Sequence, residues 1–515
     1  MTPGGTAPAP GRQWTFGLWL AGALWTLPLW LAPFPPMVDF AQQLAAAAIL
    51  RFYGEPARAL SAAYRLVPWR PHGLFEMVAA VLAWLVPIDV AGKLTVAVSL
   101  AAVPPCVLAL CRRTGRPAWY ALLALAVTYG YVFYWGLVDN LVACPLLLAG
   151  IALADRWLDR PFGVREWAVL ALWGLLFYPA HLQLLPLFAG ALGWLALARR
   201  PRPRQLALWL SPLLPGLALG VGALGWVHFH TAEAMTAYRQ RLEAEPARFG
   251  SPLAKLAALP GLLFGAHTDG TQYLLAILLL AVIGLLTVPR PAAAAPAGGG
   301  GWLYRTRFAT LAAWMWLLYL ALPVYEKGYL LSERLAPVAF LLTLPALPLP
   351  PAGRTRAVAA LVGCLLALQL LQTTAGFLSF AAETDGVGEL LAPTAPGQAM
   401  AGLIFDPYPE AWDVPAMNHL AAYYQVFKGG RLHFSFAQFF NSPVAYRPGQ
   451  DWESGLLAEW DEWNPQHFVY ERHAGRFRYF LVHGGPEKLA ASFGHHLREI
   501  RVRRAGGWML VERVR

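Results

Sequence analysis

The sequence predicts a polytopic α-helical membrane protein of about 11 transmembrane helices with N-in/C-out topology, plus a small C-terminal α/β extracytoplasmic domain. Three observations carry this. Of 515 residues, 57% are hydrophobic and only 13% charged, and the mean hydropathy is +0.46. That is too little charge for the roughly three soluble domains that length alone suggests. Residues 1–380 hold 27 basic and 14 acidic residues, whereas residues 381–515 hold 13 and 15, so the net +11 belongs to the apolar part. Finally, apolar runs of spanning length follow one another through the first 380 residues.

A spanning helix needs roughly 20 apolar residues, because backbone groups in hydrocarbon must bond within the segment. Such runs lie near 14–32, 91–111, 118–135, 138–155, 166–180, 182–198, 206–228, 271–289, 308–323, 335–350 and 357–380. The stretches 40–53 and 73–88 are apolar but short and read as interfacial or re-entrant; two crossings there would preserve the parity of the count. The first run is followed by Pro33, Pro35 and Pro36 instead of a small-residue cleavage site, so it reads as a retained anchor.

Arg12, Arg112, Arg113, Arg116, Arg156, Arg160, Arg165, Arg199, Arg200, Arg202, Arg204, Arg290, Arg305, Arg307, Arg354 and Arg356 fall in alternate loops. With the N-terminus inside, the cytoplasmic loops hold 16 basic and 3 acidic residues, against 11 and 11 outside. Positive charge dispersed between apolar runs excludes nucleic acid as a partner. Cys106, Cys111, Cys144 and Cys364 lie in or beside apolar segments, which indicates neither a disulfide framework nor a cysteine metal site. Residues 291–301, PAAAAPAGGGG, read as a linker.

Residues 1–380 thus form one transmembrane domain with a first outward loop at 33–90, and 381–515 a second, soluble domain. In the latter, IFDPYP, RYFLVHGG and GWMLVERV read as strands and PAMNHLAAYYQVF and PEKLAASFGHHL as helices, a small α/β module. Its aromatic stretches, HFSFAQFF and DWESGLLAEWDEW, suit sugar rings or, more simply, packing of the domain on the helices.

Acidic groups at the ends of membrane helices are costly and tend to be functional. Asp39 follows the rigid turn PFPPMVDF, and Asp139 lies in the tight second outward loop, YWGLVDNLVACP. Either could instead be a helix N-cap. In VYEKGYLLSERLAP, Lys327 and Arg334 stand at the mouth of a span, where they could meet a phosphate, an acidic neighbour or a lipid headgroup. His181, in FYPAHLQ, is a further outward polar group, suited to substrate contact or to a buried structural role. His72 and Glu76 share a helical face at i, i+4 and read as an exposed interfacial pair or as a proton-transfer pair facing the first-loop cavity. His228, His230, His267 and Asp269 have residue types metals accept, in a weak spacing.

A first span entering from the inside, an aspartate opening a long first outward loop, a second acid in the next outward loop and an extracytoplasmic C-terminal domain resemble the GT-C membrane glycosyltransferases. Protein mannosyltransferases, oligosaccharyltransferase catalytic subunits and aminoarabinose transferases belong to that group. The resemblance implies a polyprenyl-phosphate sugar donor, a glycan, lipid or protein acceptor, surrounding membrane lipids and inverting transfer at the outer face of the plasma (inner) membrane. It makes Asp39 the acceptor-side carboxylate, Asp139 the second acid, and Arg334 with Lys327 the donor-phosphate site. Some members hold a divalent cation, Mg or Mn, at the second acid; Asn140 here follows Asp139 where another acid would stand. A transporter or lipid flippase, or a non-catalytic GT-C-like assembly partner, is the alternative reading.

Overall fold

The computed structural model describes residues 12–230, 249–287, 301–324, 330–450 and 459–514. Among these, four helices are long and apolar enough to cross a membrane: Ile88–Arg113, Val138–Trp157, Pro203–Trp226 and Thr355–Leu391. Shorter apolar helices at Ala118–Val127, Leu184–Leu197, Pro252–Phe264, Thr271–Thr287 and Leu335–Ala346 join them. Outward faces of the bundle carry exposed Phe16, Leu20, Val221, Ile277 and Leu280, as side chains solvated by lipid require. The chain is a polytopic helical membrane protein.

Local structure departs from the expected spans where helices must meet closely. The run 118–135 is not one helix: a 3₁₀ segment covers Ala118–Val127 and a short α-turn Tyr131–Tyr134. Between them Gly130 touches the helix Pro252–Phe264, and a Cβ there would lie 2.6 Å from the Leu262 carbonyl oxygen. That second helix lies between the expected spans 206–228 and 271–289. Ser251 caps it by accepting from the Ala254 amide at 3.1 Å. The two short stretches form helices Phe40–Phe52 and Leu74–Leu82, of 13 and 9 residues. At about 1.5 Å per residue, neither reaches across about 30 Å of hydrocarbon. The first is not interfacial, since every residue from Phe40 to Ile49 is buried within the protein.

At the opposite end of the bundle from the Asp39 loop, Asp155 is fully buried between three arginines. Arg113 Nε donates to it at 2.7 Å, Arg199 Nη2 at 2.8 Å and Arg307 Nε at 2.7 Å.

Residues 399–513 carry a five-stranded mixed sheet. Its strands are β2 (Ala399–Ile404), β3 (Arg431–Leu432), β5 (Tyr479–His483), β6 (Ile500–Ala505) and β7 (Trp508–Arg513), in the order β3-β2-β5-β7-β6. β2 runs parallel to β3 and β5, and β7 antiparallel to β5 and β6. The expected IFDPYP strand ends at Ile404, where it was taken to begin, because Pro407 and Pro409 cannot donate to a ladder. β6 was not expected; its arginines suit an edge strand that must resist further pairing. Of the 415–427 helical pattern, only Ala422–Lys428 is an α-helix, whereas Pro486–Phe493 forms where expected.

The sheet region grips the loop 33–90. β1 (Tyr64–Leu66) pairs antiparallel with β4 (Val444–Tyr446), Gln42 Nε2 donates to the Phe434 carbonyl at 3.0 Å and Arg447 Nε to that of Ser61 at 2.7 Å. One apolar core holds Trp25, Phe40 and Phe377 together with Trp412 and Tyr423. These contacts set residues 433–446 over the loop that bears Asp39.

Candidate active site

The segments that carry Asp39 and Asp139 are bonded to each other before any side chain matters. The amides of Val38 and Asp39 donate to the carbonyls of Tyr134 and Trp135 at 3.0 and 3.1 Å. Gly136, with φ of +80°, permits this approach, since a Cβ there would sit 2.7 Å from the Asp39 amide nitrogen. Asp39 stands at the N-cap of Phe40–Phe52 but makes no side-chain capping bond. Asp139 lies inside the first turn of Val138–Trp157, not at its cap, and its Oδ1 is buried without a hydrogen-bond partner. Capping accounts for neither carboxylate.

His72 and Glu76 are not an exposed pair. Glu76 is buried, and burial raises its carboxyl pKa to about 8. His72 adopts φ of +64°, an uncommon conformation for a residue with a side chain. Its amide donates to the Tyr178 carbonyl at 3.1 Å, and its ring lies 4.7 Å from that of His181. Burial and the nearby Arg334 push the His72 pKa down to about 3. His181 follows the last turn of Val164–Ala180. It is fully buried, and its Nε2 lies 2.6 Å from Arg334 Nη1. Arginine can only donate, so Nε2 accepts and the ring is neutral. Burial, then His72 and Arg334, accordingly hold the His181 pKa well below the ordinary value. Burial lowers the Arg334 pKa to about 10, and it stays charged.

Asp39, His72, Glu76, Asp139 and Arg334 line a single cavity of about 430 Å³, with His181 behind its wall. The roof is Phe436, Phe439, Phe440, Asn441 and Ser442, so the HFSFAQFF stretch faces the cavity instead of only packing. Gln43 and Asn140 also contribute; Asn140 is marked in the sequence only as the neighbour of Asp139, and nothing marks Gln43. Gln43 Oε1, Glu76 Oε2, Asp139 Oδ1, Asn140 Nδ2 and Arg334 Nε are all buried in this wall without hydrogen-bond partners. Native interiors avoid such groups, and several around one space indicate a site for polar ligands.

Lys327 and the side chains of His228 and His230 lie outside the described residues. His267 Nε2 lies 3.1 Å from the Phe264 carbonyl, and Asp269 accepts from the Thr271 amide and Gln372 Nε2 at 2.9 and 2.7 Å; both have structural partners. Among the described residues, no group of three or more His, Cys, Asp or Glu is gathered to hold a metal ion.

No protein-family model matches the chain, and no curated protein matches its sequence. In three dimensions it is similar to the crystal structure of ArnT from Cupriavidus metallidurans bound to undecaprenyl phosphate. The TM-score is 0.56, covering 97% of this chain and 98% of that one at 13% identity. The chain has a GT-C fold. The apo state of the same ArnT matches over 96% and 97% at 12% identity with a TM-score of 0.37.

Proposed function

We propose that the protein is an integral-membrane glycosyltransferase that moves a sugar from a polyprenyl-phosphate donor to an acceptor at the extracytoplasmic face. One observation carries the reading: a cavity in a GT-C fold that gathers carboxylates and a half-buried, charged arginine. In this reading the acceptor hydroxyl enters beside Asp39, which takes or orients its proton as the oxygen attacks the anomeric carbon. The new C–O bond forms from the face opposite the leaving phosphate, inverting that carbon. The C–O bond to the phosphate breaks with its electron pair, and Arg334 offsets the charge that develops on the lipid phosphate. His181, by accepting from Nη1, fixes the direction of the guanidinium fork. Asp139 and a protonated Glu76 supply polar contacts to the sugar, and Phe436, Phe439 and Phe440 offer faces for its ring. The steps use protein groups alone; a divalent cation at Asp139 would add charge stabilisation.

The topology belongs to the same reading: eleven spans, the N-terminus inside, residues 1–380 in the inner membrane and 381–515 outside. The bias of 16 basic against 3 acidic residues in the assigned cytoplasmic loops supports it.

The test is transfer. The purified protein in nanodiscs is supplied with undecaprenyl-phosphate-linked sugars and a panel of glycan, glycolipid and peptide acceptors, and a new glycoside is sought by mass spectrometry. Movement of the lipid across vesicles with no covalent product would overturn the enzyme reading in favour of a flippase.

A further inference from the structure

Between the helix Phe40–Phe52 and the sheet region lies a small space of about 20 Å³. Gln42, Asn418, His419, His433 and Glu462 are among the residues around it. Three of these side chains, each at most 5% exposed, bring polar atoms that no protein group satisfies: Gln42 Oε1, Asn418 Nδ2 and His419 Nε2. The other ends of two of them are already committed. Gln42 Nε2 donates to the Phe434 carbonyl at 3.0 Å. His419 Nδ1 lies 3.2 Å from the Val38 carbonyl and 3.5 Å from Asp39 Oδ1.

These positions determine the protonation of the ring. Nδ1 faces two acceptors, a carbonyl and a carboxylate, so it carries a proton, and in the neutral ring Nε2 presents a lone pair. The ring cannot turn away, because it stacks on Phe434 at 5.2 Å and meets Phe436 and Trp463 edge-on at 6.1 Å. The space therefore offers Gln42 Oε1 and His419 Nε2 as acceptors and Asn418 Nδ2 as a donor, with the Glu462 carboxylate beside them. A water molecule complements that set, giving two hydrogens and receiving one, and the volume holds one.

We propose that a buried water held by Gln42, Asn418 and His419 fixes the His419 tautomer, and that His419 is a positioning residue that aims the Asp39 carboxylate. The role assigned to Asp39 rests on the transferase reading; the water and the tautomer do not. The sheet region thereby does more than roof the cavity, since its histidine supports the carboxylate from behind.

The test has two arms. In the first, the full chain with ¹⁵N-labelled histidine is examined in lipid by solid-state NMR, with His419 assigned by comparison with His419→Asn. The expected signal is a ring protonated at Nδ1, with a water cross-peak at Nε2 that is lost in Asn418→Leu. A ring protonated at Nε2, or no water contact at Nε2, overturns the proposal whatever the protein's activity. In the second arm, undecaprenyl-phosphate-linked sugars are the probe in the transfer assay. Asn can place a donor where Nδ1 stands, and Gln cannot. His419→Asn is expected to keep most of kcat, while His419→Gln lowers kcat about 10- to 100-fold with the donor KM unchanged. Equal loss in both variants, or loss through KM, overturns the positioning role. A wild-type protein without transfer activity faults the transferase reading alone, and the NMR arm still decides the rest.

Discussion

Arg334 Nη1 and His181 Nε2 stand 2.6 Å apart, joining the segment before the helix Leu335–Thr343 to the end of Val164–Ala180. The bond leaves Arg334 Nε buried and unpartnered in the cavity wall. An arginine steered by a neutral acceptor keeps its whole charge for a ligand, whereas one paired to a carboxylate would not. Arg334→Ala should weaken binding of undecaprenyl phosphate by about 1.5–3 kcal/mol, roughly 10- to 100-fold in Kd. His181→Gln, which can still accept, should cost much less than His181→Leu. Binding of the lipid to detergent-solubilised protein, followed by native mass spectrometry, checks both; equal affinity of Arg334→Ala and wild type would exclude the phosphate role.

Asp39 separates function from stability. Because its carboxylate does not cap Phe40–Phe52, Asp39→Asn should leave stability within about 0.5 kcal/mol. Transfer should nevertheless fall by about 10²- to 10⁴-fold, the usual contribution of a positioned general base. Thermal unfolding and transfer rate measured on the same preparation check this. A large loss of stability would assign Asp39 to the fold.

The fold class was legible because lipid imposes one dominant rule, which fills the spans with apolar residues and sorts the arginines by side. The carboxylates were legible for the complementary reason, since Asp39 and Asp139 interrupt apolar runs where a charge is expensive. Arg334 and His181 could be singled out separately, but their bond joins residues 153 positions apart, and no local pattern encodes it. The i, i+4 spacing of His72 and Glu76 fits an exposed pair as well as one facing the first-loop cavity, and sequence does not choose between them. His72 stands before the helix Leu74–Leu82, and both residues line the cavity with Phe439 and Ser442, which the pairing of β1 with β4 brings there. The broken run at 118–135 was hidden likewise: Gly130 looks ordinary until a second helix packs on it.

Glu76 and His72 predict opposite dependences of stability on pH. The Glu76 pKa is raised to about 8 in the folded protein by burial, so its contribution is fully present below the unfolded value near 4.5. That contribution is lost as pH rises to 8, with a slope of at most about 1.4 kcal/mol per pH unit. The His72 pKa is lowered to about 3 by burial and by Arg334, so its contribution is present above about 6.5 and is lost as pH falls toward 3. Between pH 5 and 8, Glu76→Gln should gain stability relative to wild type as pH rises. His72→Gln should gain relative to wild type as pH falls below about 6.5. Thermal unfolding of the three proteins across this range checks the signs, and parallel curves would show that neither group is buried as described.

The Asp155 cluster gives the largest expected loss of stability. Its carboxylate receives Arg113, Arg199 and Arg307 while fully buried, and Arg113 and Arg199 also reach Asp159. Four segments of chain meet there, namely the ends of Ile88–Arg113, Val138–Trp157 and Leu184–Leu197 and the start of Trp302–Ala321. Replacing Asp155 with Asn leaves three guanidinium groups with one carboxylate, Asp159, which is partly exposed. Removing one partner from a buried ionic network costs about 3–5 kcal/mol, because the desolvated charges that remain are uncompensated. The cluster lies far from the Asp39 cavity and does not touch its walls, so protein that still folds should bind undecaprenyl phosphate with unchanged Kd. Arg307→Met combined with Asp155→Leu should recover part of the lost stability, since the Arg307 charge left without its carboxylate is then removed as well. Melting temperatures of the single and double variants in one detergent decide it; a double variant less stable than Asp155→Asn would mean that the network is held by more than charge.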